Sequence, residues 1–395
     1  MISVLGIGEN GLDGLTPKAQ DILNHADVLV GGERHLRFAP AFQGETLDWS
    51  GGIDATLDAM GDKLHLNIVV LASGDPLYFG VAKNIIARFG AARVQVLPVP
   101  GAVSLTCAAM GWSQADVHVV TVHGRGQGRG QGRALESLNL YLTPGARLVV
   151  LSKDADTPAQ TAKLLTAQGY GQSVIWVLEH LGGPKEDRMQ GIAANWAHPA
   201  EADLNTLAIE LIGDDTAQPL SRLAGLPDEA YEHDGQLTKR ATRAVTLSSL
   251  APLPGELLWD FGAGAASISI EWMRTHPSCH AVAIEHDTVR AARIHTNAKN
   301  LGVPKLTIEE SENLAALDKL SGAPDAIFIG GGLALDLVEA AWDRLKPGGR
   351  LVVNAVTDKS RKILKTLRKK YGGDLMTITI EGKLPITQYK TEKKT

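Results

Sequence analysis

Cysteine is almost absent from this sequence: its 395 residues include only Cys107 and Cys279. Two cysteines so far apart exclude a disulfide framework and do not suggest a zinc site, so we expect both to be buried thiols. The histidines show no metal-ligand spacing, and we therefore expect no bound metal.

Long hydrophobic runs are also missing, and no apolar stretch approaches the roughly 18 residues needed to cross a bilayer. The N-terminal sequence MISVLGIG carries no basic region of the kind found in secretory leaders. The net charge of -5 gives no electrostatic reason to expect a nucleic acid or an anionic membrane as partner. These absences predict a cytoplasmic protein without a membrane or nucleic-acid partner.

The residues that are abundant are typical of a globular enzyme. Hydrophobic residues make up 44% of the chain and charged residues 21%, and the 42 glycines form no collagen-like or low-complexity period. The chain is too long for one ordinary hydrophobic core, because domains usually hold about 100–200 residues. We therefore expect two domains.

The first half of the chain alternates strands and helices. The apolar run Ile2–Ile7 predicts a strand, and Thr16-Pro17 predicts the start of a helix. The same alternation continues to Gly101 and predicts an α/β lobe with a mainly parallel sheet. A second lobe of the same domain begins at Asp116, and the domain is expected to cover residues 1–212.

A polar, proline-bearing segment at 213–232 shows little periodicity and predicts a linker. Residues 233–395 alternate strands with helix-length segments and predict a doubly wound sheet. Two strand-like runs, Leu375–Glu381 and Ile386–Lys390, predict a terminal antiparallel hairpin. The lysine-rich end, Lys390–Lys394, predicts a frayed, solvated tail.

A glycine turn in the second half predicts a nucleoside site. The predicted strand Leu257–Phe261 runs into Gly262 and Gly264, where the missing side chains let a ligand approach the backbone. The next strand ends in Glu285, where a carboxylate can accept both ribose hydroxyls.

Two residues beside this turn favour S-adenosylmethionine over nicotinamide. Ser267 stands where a diphosphate-binding fingerprint would have its last small residue, glycine or alanine. The carboxylate of Asp260 would repel a phosphate, but it can anchor the amino group of a methionine moiety.

Four segments of the second half resemble the precorrin decarboxylating methyltransferase domain over residues 233–395: Asp234–Arg240, Asp260–Glu271, Pro324–Gly332 and Leu345–Val352. The resemblance implies a Rossmann-like class I methyltransferase fold. It also implies donor contacts by Thr238, Asp260, Gly262, Gly264, Ser267, Glu285, Asn313 and Gly330, and substrate contacts by Gly331 and Gly332. Ala266 stands where this family more often has glycine, and its methyl group is expected to tighten the turn.

Three glycine-bearing loops of the first half each follow a predicted strand: Gly6–Gly11, Ala72–Tyr78 and Pro100–Ser104. Open α/β sheets bind small molecules at such strand ends. Together with Trp176–Gly182, the loops resemble the tetrapyrrole methylase family over residues 1–212, which implies its two-lobed class III fold. The resemblance implies donor contacts by Gly74, Asp75, Pro76, Tyr78 and Ser104. It also implies that Gly8 faces a tetrapyrrole in a trough between the lobes.

The strongly basic stretch His123–Arg133 allows two interpretations. It is either a flexible solvated loop or a loop whose arginines bind the acetate and propionate groups of a corrinoid. Its first residues match the family, which implies substrate contacts by His123 and Arg125, and the glycine-rich remainder is interpreted as an insertion. No aromatic residues interleave for stacking on bases, which disfavours a nucleic-acid-binding tail.

The two resemblances together imply a chain with two methyltransferase domains of cobalamin (vitamin B12) biosynthesis and two sites for S-adenosyl-L-methionine. The first domain would methylate C5 of a precorrin, and the second would methylate C15 and decarboxylate the C12 acetate. A homo-oligomer, dimer or tetramer, is also implied. Positioning supplies most of the acceleration in such reactions, so no catalytic acid or base is predicted.

Three alternatives stay open at this point. A cobalt-containing precorrin of the anaerobic route is a second possible substrate. A nucleic-acid methyltransferase is a weaker hypothesis, because the chain lacks net positive charge and an Asn-Pro-Pro-aromatic motif for a flipped base. The third is a tetrapyrrole carrier in which the second donor site has decayed, a hypothesis suggested by Ala266.

Overall fold

The computed structural model describes residues 1–122, 134–199, 202–379 and 385–394. These residues form two compact units. The first unit contains described residues of 1–122 and 144–217, and the second contains those of 134–143 and 218–394. Within the described ranges, no helix is long and apolar enough to cross a membrane.

The first lobe of the first unit is a five-stranded sheet in which all strands are parallel. Its strands are β1 (Ile2–Ile7), β2 (Val28–Val30), β3 (Glu45–Leu47), β4 (Ile68–Ser73) and β5 (Val94–Leu97). Their order is β3-β2-β4-β1-β5. The helices on this sheet are α1 (Pro17–Asn24), α2 (Glu33–Leu36), α3 (Ile53–Gly61) and α4 (Ala82–Phe89). The next helix, α5 (Ala102–Met110), packs through Val103 and Cys107 on the sheet of the second lobe. The predicted parallel lobe is confirmed.

Helices cover both faces of this sheet, which explains why the whole of β1 is buried. Leu57 of α3 and Ile85 of α4 pack on one face, and Leu23 of α1 packs on the other. The predicted start of α1 is confirmed, because the hydroxyl of Thr16 accepts a hydrogen bond from the amide of Ala19 at 3.3 Å.

The second lobe of the first unit is a mixed sheet. Its strands are β6 (Val117–Thr121), β7 (Arg147–Leu151), β8 (Val174–Glu179), β9 (Asp187–Ile192) and β10 (Asn205–Glu210), and its helix is α6 (Thr157–Ala167). The order is β6-β7-β10-β8-β9, with only β6 and β7 parallel. Strand β9 was not predicted, because none of its residues is fully buried and the sequence shows no apolar alternation there.

The second unit is built on one seven-stranded sheet. Its strands are β11 (Leu257–Phe261), β12 (His280–Ile284), β13 (Thr307–Glu309), β14 (Ala326–Ile329), β15 (Arg350–Ala355), β16 (Asp374–Ile378) and β17 (Ile386–Glu392). The order is β13-β12-β11-β14-β15-β17-β16. The first five strands in this order are parallel, and β17 is antiparallel to both neighbours. The predicted doubly wound sheet and terminal antiparallel strands are confirmed.

In the described part of this unit, the helices that flank the sheet are α7 (Arg240–Leu250), α8 (Ser267–Thr275), α9 (Thr288–Asn300), α10 (Asn313–Ala316), α11 (Leu335–Arg344) and α12 (Asp358–Tyr371). Trp272 of α8 and Ile294 of α9 belong to the core on one face of the sheet. Val338 of α11 and Leu364 of α12 belong to the core on the other face. The two predicted buried thiols, Cys107 and Cys279, are both buried and free.

The predicted frayed tail is wrong. Strand β17 continues to Glu392 and pairs along its length with β15. The ammonium group of Lys393 donates to the carbonyls of Trp342 at 2.9 Å and Leu345 at 2.8 Å. This lysine charge therefore lies at the C-terminal end of α11, where a helix dipole favours a cation.

The predicted linker 213–232 is divided between the two units: its residues up to Ala217 belong to the first unit, and those from Gln218 belong to the second. Leu226 and Tyr231 are buried in the core of the second unit, with 2% and 4% of their surface exposed. The turn Leu135–Leu140 also packs in the second unit, where the side-chain amide of Asn139 donates to the carbonyl of Lys299 at 3.1 Å.

Candidate active sites

The three loops predicted to bind ligands in the first unit lie at one edge of its parallel sheet. They follow β1, β4 and β5, which are neighbours in the order β4-β1-β5. The amide of Gly74 donates to the carbonyl of Ile7 at 3.0 Å, and the amide of Val99 donates to the carbonyl of Gly74 at 3.2 Å. The loops are therefore joined to each other by backbone hydrogen bonds.

The geometry at position 74 explains its glycine. Gly74 has a φ of +57°, a conformation that side-chain-bearing residues rarely adopt. A Cβ at this position would also lie 2.5 Å from the Cα of Gly101. The loops after β4 and β5 thus meet backbone to backbone, and only glycine allows that approach.

The rest of the loop after β4 is a compact turn that presents apolar side chains. The carboxylate of Asp75 accepts a hydrogen bond from the amide of Leu77 at 2.9 Å. Leu77, Tyr78 and Phe79 are 54%, 48% and 60% exposed, and Phe79 has a left-handed φ of +55°. Three exposed apolar residues beside a sheet edge form a surface suited to a large, flat ligand. Partial burial raises the pKa of the Tyr78 hydroxyl, so this group keeps its proton at and well above neutral pH.

The other predicted residues of this half occupy neighbouring positions. Ser104 lies in the first turn of α5, and its hydroxyl donates to the side chain of Gln114 at 3.5 Å. Gly8 follows β1 directly. The structure therefore brings Gly8, Gly74, Asp75, Pro76, Tyr78 and Ser104 to one sheet edge. His123 and Arg125 lie outside the described residues.

The predicted glycine turn of the second unit is also a close backbone contact. Gly262 follows β11 with a φ of +68°, and a Cβ there would lie 2.7 Å from the Cα of Gly331. The amide of Gly330, after β14, donates to the carbonyl of Phe261 at 3.0 Å. The ends of two neighbouring parallel strands therefore come together at Gly262, Gly330 and Gly331.

Glu285 lies where β12 ends and is 3% exposed. Its carboxylate accepts hydrogen bonds from the amide of Gly264 at 2.8 Å and from the amide of Asp287 at 3.1 Å. The predicted acidic residue is thus fixed directly against the predicted glycine turn. Each carboxylate oxygen has a second lone pair, so these amides leave acceptor capacity for hydroxyl groups.

Asp260 is a buried carboxylate with one free oxygen. It is 1% exposed, and its Oδ2 accepts from the amide of Ser269 at 3.2 Å and from the Ser269 hydroxyl at 2.6 Å. Among the described residues, Oδ1 has no hydrogen-bond partner. Burial raises the pKa of Asp260 to about 6; the Ser269 hydrogen bonds oppose the shift and the charge of Glu285 adds to it. An ammonium group or a water molecule would complete this site.

The remaining predicted residues surround the same strand ends. The side-chain amide of Asn313 donates to the carbonyl of Gly331 at 3.0 Å, and a Cβ at Gly332 would lie 2.6 Å from the Asn313 amide nitrogen. Ser267 begins α8 and is buried. The carbonyl of Thr238 accepts a hydrogen bond from Arg243.

Ala266 has a backbone conformation that glycine adopts more easily than alanine. It caps α8 with a φ of +56° and is fully buried. A left-handed conformation costs a residue with a side chain roughly 1–2 kcal/mol. The methyl group therefore fits the turn, but at a conformational cost that glycine would not have.

The loop that contains Asp234 and Gln236 lies over the glycine turn of the second unit. A Cβ at Gly264 would lie 3.0 Å from the carbonyl oxygen of Gln236. The neighbouring carboxylate of Asp234 pairs with Arg290 at 2.8 Å and with Arg293 at 3.4 Å. The hydrogen bond from Arg290 holds the pKa of Asp234 well below its usual range, so this loop is tied to α9 by charge.

Comparison with known proteins agrees with the geometry of both units. Residues 1–195 match the model of tetrapyrrole (corrin/porphyrin) methylases, and residues 229–394 match the model of a precorrin methyltransferase domain. The precorrin-6Y C(5,15)-methyltransferase [decarboxylating] of Sinorhizobium sp. is 43% identical over 387 residues, which cover 98% of this chain and 92% of the relative. The chain belongs to this methyltransferase family.

Two further relatives extend the comparison. The precorrin-6Y C(5,15)-methyltransferase [decarboxylating] of Mycobacterium tuberculosis (strain H37Rv) is 37% identical over 414 residues, with all of both chains covered. The cobalt-precorrin-7 C(5)-methyltransferase of Salmonella typhimurium is 34% identical over 187 residues, which cover 47% of this chain and 88% of the relative. About half of this member of the C(5,15)-methyltransferase family therefore resembles a protein that is named for C(5) methylation alone.

The sequence did not predict a polar cluster in the first unit of this methyltransferase, although one member, His180, lies in the family-like segment Trp176–Gly182. The cluster contains Glu9 after β1, Arg34 and His35 in α2, Ser73 at the end of β4, and His180 after β8. The available signal was position, since Gly31-Gly32-Glu33-Arg34-His35 follows a buried strand as the predicted ligand loops do.

Proposed function

We propose that this chain methylates precorrin-6Y at C5 and C15 and decarboxylates its C12 acetate, with S-adenosyl-L-methionine bound at a separate site in each unit. The first unit would methylate C5. The second would methylate C15 and remove the carboxyl group. The observation that carries this proposal is the presence of two independent sheet edges, each with glycines in backbone contact: Gly74 with Gly101, and Gly262 with Gly331.

The residues of the second unit fit the donor well. Glu285 lies against the glycine turn with acceptor capacity left for ribose hydroxyls. The free Oδ1 of Asp260 suits the ammonium group of a methionine moiety. A diphosphate in place of this donor would bring negative charge to two buried carboxylates, which is unfavourable. The same charges favour a donor that carries a positive sulfonium.

The residues of the first unit fit the donor by shape and backbone. Gly74, Asp75 and Pro76 would hold it together with Ser104, and the exposed ring of Tyr78 would cover its flat part. The donor supplies an electrophilic methyl group. The chain's contribution is to hold the donor and the ring carbon in line and to keep water away, which accounts for much of the acceleration in a reaction of two bound molecules.

Loss of the C12 carboxyl group needs a place for the electron pair of the breaking bond. The conjugated macrocycle can accept that pair, after which the acetate methylene carbon takes up a proton. The second unit would orient the macrocycle through the backbone of Gly331 and Gly332. Their missing side chains let a large planar ligand approach the strand end.

Mass spectrometry tests this function directly. Precorrin-6Y is incubated with the full chain and S-adenosylmethionine that carries a trideuterated methyl group. We expect the product to gain two labelled methyl groups and to lose one carbon dioxide. Gain of two methyl groups without that loss would remove the decarboxylase assignment, and no gain would overturn the proposal.

A parallel incubation with the cobalt-containing precorrin distinguishes the two routes, because one partial relative is named for a cobalt-precorrin substrate. Conversion of the metal-free precorrin at the higher kcat/KM is the expected result. Faster conversion of the cobalt form would place the chain in the anaerobic route.

A further inference from the structure

Methylation of a ring carbon that carries hydrogen releases a proton, and this follows from the proposed function of the first unit. A bond forms between the ring carbon and the methyl group, and the carbon–sulfur bond breaks with its electron pair left on sulfur. The carbon–hydrogen bond then breaks, and its electron pair restores the ring double bond. The proton must pass to an acceptor, which in turn releases it to solvent.

The predicted donor loop offers no good acceptor. The carboxylate of Asp75 belongs to the loop that would hold the donor, on the face from which the methyl group would arrive, and the hydroxyl of Tyr78 has a raised pKa and keeps its proton. Burial, followed by the charge of Arg34, lowers the pKa of His35 to about 4, which makes His35 a weak base.

The polar cluster contains a better arranged base. The Nδ1 atom of His180 lies 2.8 Å from the Oε2 atom of Glu9. A carboxylate accepts a hydrogen bond from Nδ1–H, so the neutral imidazole carries its free lone pair on Nε2. Among the described residues, none makes a hydrogen bond to that Nε2 atom. His180 therefore presents an oriented proton acceptor.

Glu9 is itself held in place by charge. Its Oε1 atom pairs with the guanidinium of Arg34, which also donates to the hydroxyl of Ser73 at 2.8 Å. Ser73 adjoins Gly74 of the predicted donor loop, and Glu9 adjoins Gly8 of the predicted substrate loop. The cluster therefore lies between the loops expected to hold the two reactants.

His180 belongs to a different strand end from the predicted donor loop. It follows β8 in the second lobe, whereas the predicted donor loop belongs to the sheet of the first lobe. When a methyl group adds to one face of a planar ring carbon, the hydrogen on that carbon bends toward the opposite face. The acceptor must therefore come from outside the donor loop itself, as His180 does.

The backbone is strained where this pair forms. His180 has a left-handed φ of +45°, and a Cβ at Gly183 would lie 2.5 Å from the Cβ of Glu9. A residue other than glycine rarely adopts this conformation, and residues held in it cluster at functional sites.

We propose that His180, oriented by Glu9, accepts the proton released when the first unit methylates its ring carbon, with Arg34 as a positioning residue for Glu9. The pair also joins the two lobes, so the experiment must separate proton transfer from a structural link.

The test uses the full chain with His180→Gly. Glycine adopts the left-handed φ without strain and leaves space for added imidazole. We expect kcat for C5 methylation to fall by about 10²-fold or more, with KM and donor affinity within threefold of the parent. C15 methylation and decarboxylation should continue at the parent rate. Added imidazole should restore C5 methylation at least tenfold.

Two further variants complete the design. Glu9→Gln keeps the size of the side chain but loses its charge, and we expect it to lower kcat for C5 methylation at unchanged KM. His198→Ala removes an exposed imidazole of the same lobe, whose Nε2 lies 3.0 Å from the carbonyl of Gln190, and should leave every rate unchanged.

Retention of C5 methylation within threefold in His180→Gly would overturn the inference and leave the proposed function intact. A loss that imidazole does not restore, or that comes with a matching loss of substrate binding, would also overturn it by showing a structural link. Absence of C5 methylation in the parent chain would instead contradict the proposed function.

Discussion

Arg243 and Glu271 form an ion pair removed from solvent: the Nε and Oε1 atoms are 2.5 Å apart, and the side chains are 0% and 3% exposed. Glu271 also accepts hydrogen bonds from the amides of Gly225 and Leu226 and from the hydroxyl of Tyr231. Through this pair, the segment that leads into the second unit is fixed to α8.

Replacement of Arg243 by methionine should destabilise the second unit by about 3–5 kcal/mol, because it leaves the buried negative charge of Glu271 without a positively charged partner. Thermal unfolding followed by circular dichroism measures the change. The matched control is Lys370→Ala, which breaks an exposed pair with Glu339 and should change stability by less than about 1 kcal/mol. Equal effects of the two variants would contradict this account of the pair.

The contact of Gly74 with Gly101 predicts an asymmetric response to alanine. In Gly74→Ala, the new Cβ meets backbone and the left-handed φ is strained, so we expect a loss of more than about 2 kcal/mol in the first unit. In Gly101→Ala, the φ is −89° and the new Cβ lies 3.4 Å from the amide of Asp75, an ordinary contact. That variant should lose less than about 1 kcal/mol. Comparable thermal midpoints for the two would refute the contact as described.

Gly331→Ala separates binding from stability in the second unit. A Cβ at this position would lie 3.6 Å from the carbonyl oxygen of Gly262, so the fold should tolerate it. If the backbone of Gly331 contacts substrate, the added methyl group should raise KM for C15 methylation by tenfold or more at an unchanged melting temperature. An unchanged KM would remove Gly331 from the substrate site.

The raised pKa of Asp260 predicts that its ionised form lowers the stability of the fold, while the same charge favours binding of the donor. The unfolded carboxyl ionises near 3.8 and the folded one near 6. Between these values the folded state binds more protons, so this group makes the protein less stable as pH rises from about 4 to about 6. Above pH 6 the buried charge lowers the free energy of unfolding by its full amount, and the pKa shift corresponds to about 3 kcal/mol.

Asp260→Asn removes the buried charge while keeping an acceptor for Ser269, so it should raise stability at pH 7 by about 1–3 kcal/mol. It should also weaken donor binding in the second unit, because a neutral amide attracts an ammonium group less than a carboxylate does. Denaturant titration of the parent and the variant at pH 4 and pH 7 measures the first effect. A variant less stable than the parent at pH 7 would contradict the assigned origin of the pKa shift.

The ends of these strands in both units were predictable because each strand is a buried apolar run that stops at glycine. Gly74, Gly262 and Gly330 all lie where such a run ends, and local sequence alone determines that position. The resemblances then explained why these turns occur together in one chain.

The polar cluster was not predictable, because its members are distant in sequence and meet only through the packing of two lobes. Glu9 and His180 are 171 residues apart. Each lies in a segment that resembles the tetrapyrrole methylase family, Gly6–Gly11 and Trp176–Gly182, but neither segment indicates that the two side chains form a pair. The same reason applies to Lys393, whose carbonyl partners come from the end of α11.

The central claim is that each chain binds two molecules of methyl donor, one in each unit. Isothermal titration calorimetry with S-adenosylhomocysteine, the demethylated donor, measures this number on the full chain. The account predicts two molecules per chain for the parent and weaker binding at one of the two sites in Asp260→Asn. A stoichiometry of one or none for the parent chain would contradict it.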